Sequence, residues 1–327
     1  MKVKTAISYN LDLLCFMNVM MGKKFYIDYH KDSFEKFYPT ITDKVKGRIN
    51  RMMRFGVGSI GTIMTLAISS VDDFNDKDLI GMLKDKTGLK HSIKNKASAY
   101  ITGIDSLAIH VLISRVVIPL AEELESAGFK EFWHTNRLPL IQERCNEVDK
   151  YMEQYNPSEL INRYINFGSS DFTAYICSFA RPHGIKLCGS NMIADIAHKN
   201  NSILEILSHE VFHPPYDKKK VKQSVKALGK KPWVRKAYKN QNPDMRYRPI
   251  EGFIEENIVE ALGIYVAVQL GLDIDTKKYF KEHDEGSHVI SPYFYDYLCE
   301  NKKDASISFE EYFARFVDSL NENFYEL

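Results

Sequence analysis

The sequence is short of paired cysteines, of net charge and of uninterrupted apolar runs, and each shortage removes a class of protein. Its five cysteines, Cys15, Cys145, Cys177, Cys188 and Cys299, are odd in number, widely spaced and contain no Cys-x-x-Cys pair. A disulfide-stapled scaffold and a thiolate zinc knuckle are thereby excluded, and the thiols read as reduced and structural, with Cys177 and Cys188 able to pair only in an oxidising compartment. The 44 basic residues nearly cancel the 43 acidic ones, so net charge selects neither a nucleic acid nor an acidic partner. Asn10 and Asp12 interrupt what would be the apolar core of a signal peptide, and Asp105, His110 and Arg115 interrupt the apolar stretch 100–120. Neither segment suits export or a membrane span, so a cytoplasmic protein without membrane contact is expected.

What is present is aromatic and long enough to fold. Nineteen Tyr and nineteen Phe in 327 residues fit a packed globular protein of two domains or one large one. Residues 1–155 read as a helical lobe: Leu11, Leu14, Cys15, Asn18 and Val19 recur at helical spacing, 97–127 reads as one long apolar helix, and 133–155 as an amphipathic one. Gly56, Gly58 and Gly61 match Gly-x-Gly-x-x-Gly, but a dinucleotide loop needs a strand before it, and 48–54 is basic and helical in pattern. Gly for close helix packing or a turn is the expected reading there. No metal spacing or nucleophile constellation occurs in this lobe.

The texture changes beyond Pro157. The β-branched and aromatic stretch 172–179 reads as a strand, 181–184 as a turn and 185–192 as a returning strand, which together predict an antiparallel hairpin ahead of the next helix. That helix carries His209-Glu210-Val211-Phe212-His213, followed by Pro214-Pro215. In His-Glu-x-x-His the histidines are one helical turn apart, about 40° around the axis, so both imidazoles reach one tetrahedral zinc while the Glu acts on its water. Ser202 with Glu205 suggests a capping box, and the two prolines stop the helix. Ile203, Leu204, Leu207 and Val211 fall on the far side, at about 120–220° from His209. The histidines therefore face a cleft while the opposite face packs.

Ten Lys or Arg and no acid lie between 218 and 239, interleaved with apolar residues. A solvated basic helix and loop beside the cleft is expected, one able to bias it toward acidic substrates, and a nucleic-acid partner is not. The third metal ligand must come from the stretch 250–267, which offers Glu251, Glu255, Glu256 and Glu260. With Glu256 as origin, Glu260, Gly252, Gly263 and Ala267 all lie within about 40° on one helical face, opposite Ile254, Ile258, Ala261, Leu262 and Tyr265. Small residues permit close helix approach, so Glu256 is the expected ligand and Glu260 the expected partner for the second ring nitrogen of a ligating histidine.

His209-Glu-x-x-His213 with Glu256-x-x-x-Glu260 resembles the gluzincin group of zinc metallopeptidases, which includes the thermolysin-like enzymes. The resemblance rests on these two motifs and covers roughly residues 170–270. It implies a zincin-like catalytic domain over 156–327, in an α+β, predominantly helical chain whose small antiparallel sheet lies beside the His-Glu-x-x-His helix. It also implies a His₂Glu zinc site of His209, His213 and Glu256, with Glu210 as general base, Glu260 behind the ligands, and a peptide or protein as substrate. Further donors to a tetrahedral oxyanion are sought in Tyr293, Tyr295 and His288. The alternative is a zincin-like binding or regulatory protein whose metal site is not catalytic.

Overall fold

The computed structural model describes residues 3–54, 60–98, 106–165, 171–182, 184–241, 247 and 249–320, with the backbone alone for 106–108, 284 and 285. The fold is α+β and predominantly helical, with one small mixed sheet. Among the described residues no helix is long and apolar enough to cross a membrane. The chain divides into two compact units: Val3–Gln154 joined by Asp171–Asn200, and Tyr155–Ser170 joined by Asn201–Leu327. The expected boundary lies between 155 and 156, whereas here the strand segment 171–200 groups with the N-terminal helices.

In the first unit four strands, β1 (Val3–Ala6), β2 (Phe172–Cys177), β3 (Ile185–Lys186) and β4 (Asn191–Asp195), lie in the order β1-β2-β4-β3. β1 pairs parallel with β2 (Val3 opposite Phe172), and β2 pairs parallel with β4 (Thr173 opposite Asn191). Only β3 is antiparallel, pairing Ile185 with Ile193 of β4. The expected antiparallel hairpin of 172–179 with 185–192 is therefore corrected. All six residues of β2 are buried, as befits an inner strand of parallel pairs, and the chain doubles back through β3 before β4 runs alongside β2.

A buried carboxylate fastens this sheet to the helix Tyr9–Met20. Asp12, fully buried, accepts from Trp133 Nε1 at 2.6 Å and from the backbone N–H groups of Ser178 and Phe179 at 2.8 and 3.0 Å, just past the end of β2. Burial outweighs these hydrogen bonds and pushes its carboxyl up to about 7. The same helix meets the helix Ile60–Ile68 at Gly61, whose N–H donates to Asn18 Oδ1 at 2.7 Å. A Cβ at Gly61 would come within 2.2 Å of the Leu14 carbonyl oxygen, so this glycine serves close helix packing. The segment before it is the helix Asp43–Arg54, not a strand, and the glycines at 56 and 58 lie outside the described residues.

The two long helices expected in this lobe are each divided. Within 97–127 the helices Ser106–Leu112 and Ile118–Ser126 are joined by a π-helical turn at Ile113–Val117, and 99–105 lie outside the described residues. The stretch 133–155 falls into Phe129–Asn136 and Leu138–Met152, with Pro139 opening the second. Proline has no N–H to donate to the preceding turn, which favours a helix start at that point.

Among its described residues the regular elements of the second unit are all helices. Its centre is the helix Ile250–Gln269, buried along most of its length from Phe253 to Ala267, as a helix apolar on nearly every side must be. Asn257, itself buried, accepts from the backbone N–H of Ile290 at 2.8 Å, and its carbonyl accepts from Ser291 Oγ at 2.8 Å. These bonds tie the start of the helix Ser291–Glu300 to the turn of the central helix that carries the candidate ligands.

Candidate metal centre

The His-Glu helix spans Asn200–Glu210, so it begins ahead of Ser202 and the expected capping box is not its cap. Ile203, Leu204 and Leu207 are fully buried, leaving the opposite face for the histidines. The helix ends at Glu210, which is half-buried, and the chain tightens: Phe212 N–H donates to His209 O at 3.0 Å and His213 N–H to Glu210 O at 3.3 Å. His213 precedes Pro214 through a cis peptide bond. It thus stands one tight turn past the helix, where the residue before a proline is steered away from helical geometry. The turn nevertheless brings His213 Nε2 to 3.1 Å from His209 Nε2.

The third donor comes from the central helix because the two backbones approach closely. A Cβ at Gly263 would meet His209 Cα at 3.0 Å, N at 3.1 Å and Cβ at 3.2 Å. Gly252, expected on the same face, has no atom within 4 Å of such a Cβ and takes no part in the contact. Glu256 Oε1 lies 3.2 Å from His209 Nε2, and Glu256 Oε2 lies 3.6 Å from His213 Nε2. Four N/O ligands at about 2.0–2.1 Å from zinc would form a tetrahedron with edges of about 3.3–3.4 Å. The separations among the two nitrogens and Glu256 bracket that edge, and the donor set of two imidazoles and a carboxylate suits zinc.

Each histidine is oriented from behind. His209 Nδ1 lies 2.7 Å from Glu260 Oε2, and His213 Nδ1 lies 3.6 Å from Glu255 Oε1. A carboxylate on Nδ1 draws the ring proton there and leaves the Nε2 lone pair facing the shared centre. Lys218 Nζ, 2.8 Å from Glu255 Oε2, holds that carboxylate in turn. Glu251 is exposed and stands apart from this arrangement.

The charges reinforce one another. Burial opposes a charge on His209, but the carboxylates of Glu260 and Glu256 outweigh it and raise its basicity well above the ordinary imidazole value. Burial likewise opposes ionisation of Glu256 and Glu260, yet the neighbouring histidines hold both below the usual carboxylate range: His213 and His209 for Glu256, and His209, His288 and His283 for Glu260. Glu255 is lowered against its burial by His213 and Lys218. Without a cation this is an ion-paired cluster; a cation at its centre would take over the role of the extra protons.

The expected oxyanion donors are placed differently from one another. Tyr293 packs on Trp233, ring centroids 5.6 Å apart, and Tyr295 on Phe280 and Tyr265 at 5.7 and 6.4 Å. His288 is buried, and its charge acts on both Glu256 and Glu260. Glu255 as the partner of His213, and Lys218, Tyr279 and His283 around the cluster, complete the surroundings. Tyr279 O–H donates to Glu260 Oε1 at 2.6 Å. The sequence carried a signal for Glu255 in its adjacency to Glu256 and for Lys218 in the basic run expected beside the cleft, and none for Tyr279 and His283, whose roles depend on tertiary packing.

No family model, curated protein or solved structure matches the chain.

Proposed function

We propose that this protein is a zinc-dependent metallopeptidase acting on peptides or proteins. The observation that carries the reading is the convergence of His209 Nε2, His213 Nε2 and a Glu256 carboxylate oxygen, with a carboxylate behind each imidazole. Those three side chains would hold the ion. Zinc with three protein ligands supplies a Lewis acid that acidifies a water and polarises a carbonyl near neutral pH. Glu210, beside His209 at the end of the helix, takes the proton from the attacking water and passes it to the leaving nitrogen. Glu260 and Glu255 keep the two rings in the required tautomer, with Tyr279 and Lys218 fixing those carboxylates.

A metal titration of the purified protein tests the site. Wild type is expected to hold zinc that His213→Ala and Glu256→Ala each lose. Full retention of that zinc by Glu256→Ala would remove Glu256 from the ligand set and with it the His₂Glu reading.

A further inference from the structure

We infer that the protein carries a second site for a zinc-class divalent cation, built from Glu260, His283 and His288 on the far side of His209. One ligand atom from each of these residues lies within 4.8 Å of the other two. Glu260 is divided between the sites: Oε2 faces His209 Nδ1 at 2.7 Å, while Oε1 faces His283 Nε2 at 4.0 Å and accepts from Tyr279 at 2.6 Å. A carboxylate oxygen has two lone pairs, so Oε1 can keep the Tyr279 bond and still bind a cation.

The remaining ligands combine one fixed residue with one adaptable residue. His288 is buried, two residues before Ile290, whose N–H is held by Asn257 one turn from Glu260 on the central helix. His283 opens the 3₁₀ turn His283–Gly286, and its side chain is 44% exposed. It stacks between Tyr279, at 4.6 Å and 14°, and His288, at 5.4 Å and 26°. To reach tetrahedral ligand separations of about 3.3–3.4 Å, the ligand atoms must close from up to 4.8 Å, a movement the exposed imidazole can supply. Two imidazole nitrogens and one carboxylate oxygen suit zinc, cobalt or nickel better than calcium or magnesium.

The cation also has a route from solvent. A cleft of about 480 Å³ is lined by His283 and Tyr279 together with Glu205, Asp273, Asp275 and Glu282, against the single cation Lys278. Its acidic walls raise the local concentration of cations next to His283. Because Glu260 already serves His209, charge drawn to Oε1 weakens its support of the first site, and the second equivalent binds more weakly than the first.

The second site shares Glu260 with the first, and equilibrium dialysis against Zn²⁺ separates the two. Wild type is expected to take up a second, weaker equivalent that His283→Ala loses while keeping the first. His213→Ala is expected to lose the first and keep the one that depends on His283. His283→Asn checks that the loss follows the imidazole and not the substitution. Uptake by His283→Ala and His283→Asn equal to wild type, or a single wild-type equivalent insensitive to His283, overturns the second site and leaves the first standing. Zinc that is lost with His283 but unaffected by His213→Ala overturns the first reading and leaves the second.

Discussion

Substituting Gly263 by alanine separates what holds the fold from what holds the site. The new Cβ would sit 3.0–3.2 Å from His209 Cα, N and Cβ, where ordinary carbon contacts begin at about 3.5 Å, so His209 must retreat by a few tenths of an ångström. Overpacking of this kind costs about 1–3 kcal/mol, and replacing glycine within a helix returns about 1 kcal/mol. Global stability is therefore expected to fall by about 0–2 kcal/mol. Zinc affinity is expected to fall further in proportion, because the strain falls on the ligand whose two ring nitrogens contact Glu256 and Glu260. Perturbing such support typically costs about 10–100-fold in metal affinity. Gly252→Ala is the internal control: it lies on the same helix with no atom within 4 Å of the added Cβ, so it should leave zinc binding unchanged and stability equal or slightly higher. Urea unfolding and chelator competition measure the two quantities. Unchanged zinc affinity in Gly263→Ala with correct folding would refute the assignment of the helix approach as what positions His209.

Two further perturbations test other parts of the structure. Glu260→Gln keeps the shape but not the charge behind His209 Nδ1, and should lower first-site zinc affinity by about 10–100-fold; chelator competition showing wild-type affinity would count against that role. Asp12, raised from 3.8 to about 7 by burial, contributes stability that is fully present below about pH 4 and lost as pH rises through about 7, on the order of 4 kcal/mol in all. Relative to Asp12→Asn, the wild type should therefore lose stability between pH 5 and 8 in urea titrations, and parallel pH profiles for the two proteins would contradict this.

The site was more legible in the sequence than the sheet. His209 and His213 are brought together by local spacing, and Glu256 and Glu260 by their shared helical face; neither requires knowledge of distant contacts. Even there the chain departs from an ideal helix, since Pro214 moves His213 into a tight turn and so brings it within reach of Glu255. The sheet is less legible because β-branched and aromatic content marks a strand without giving its direction. β1 is four residues long and includes Lys4, too short and polar to stand out. Tyr279 and His283 meet the cluster from a segment remote from the His-Glu helix, which no spacing rule reaches, and Lys218, only five residues past His213, is one of several lysines in its run with nothing to single it out. Both helix breaks carry a proline legible in the sequence: Pro139 and Pro119 are each the second residue of the helix that follows, the latter directly after the π-helical turn at Ile113–Val117.

The most direct test of the central claim compares wild type with Glu210→Gln, both loaded with zinc to the same measured content, on a mixed pool of peptides analysed by mass spectrometry. The account predicts cleavage by wild type and a loss of about 10²–10⁴-fold in Glu210→Gln at equal zinc. Undiminished cleavage by Glu210→Gln, or none by fully loaded wild type, would contradict it.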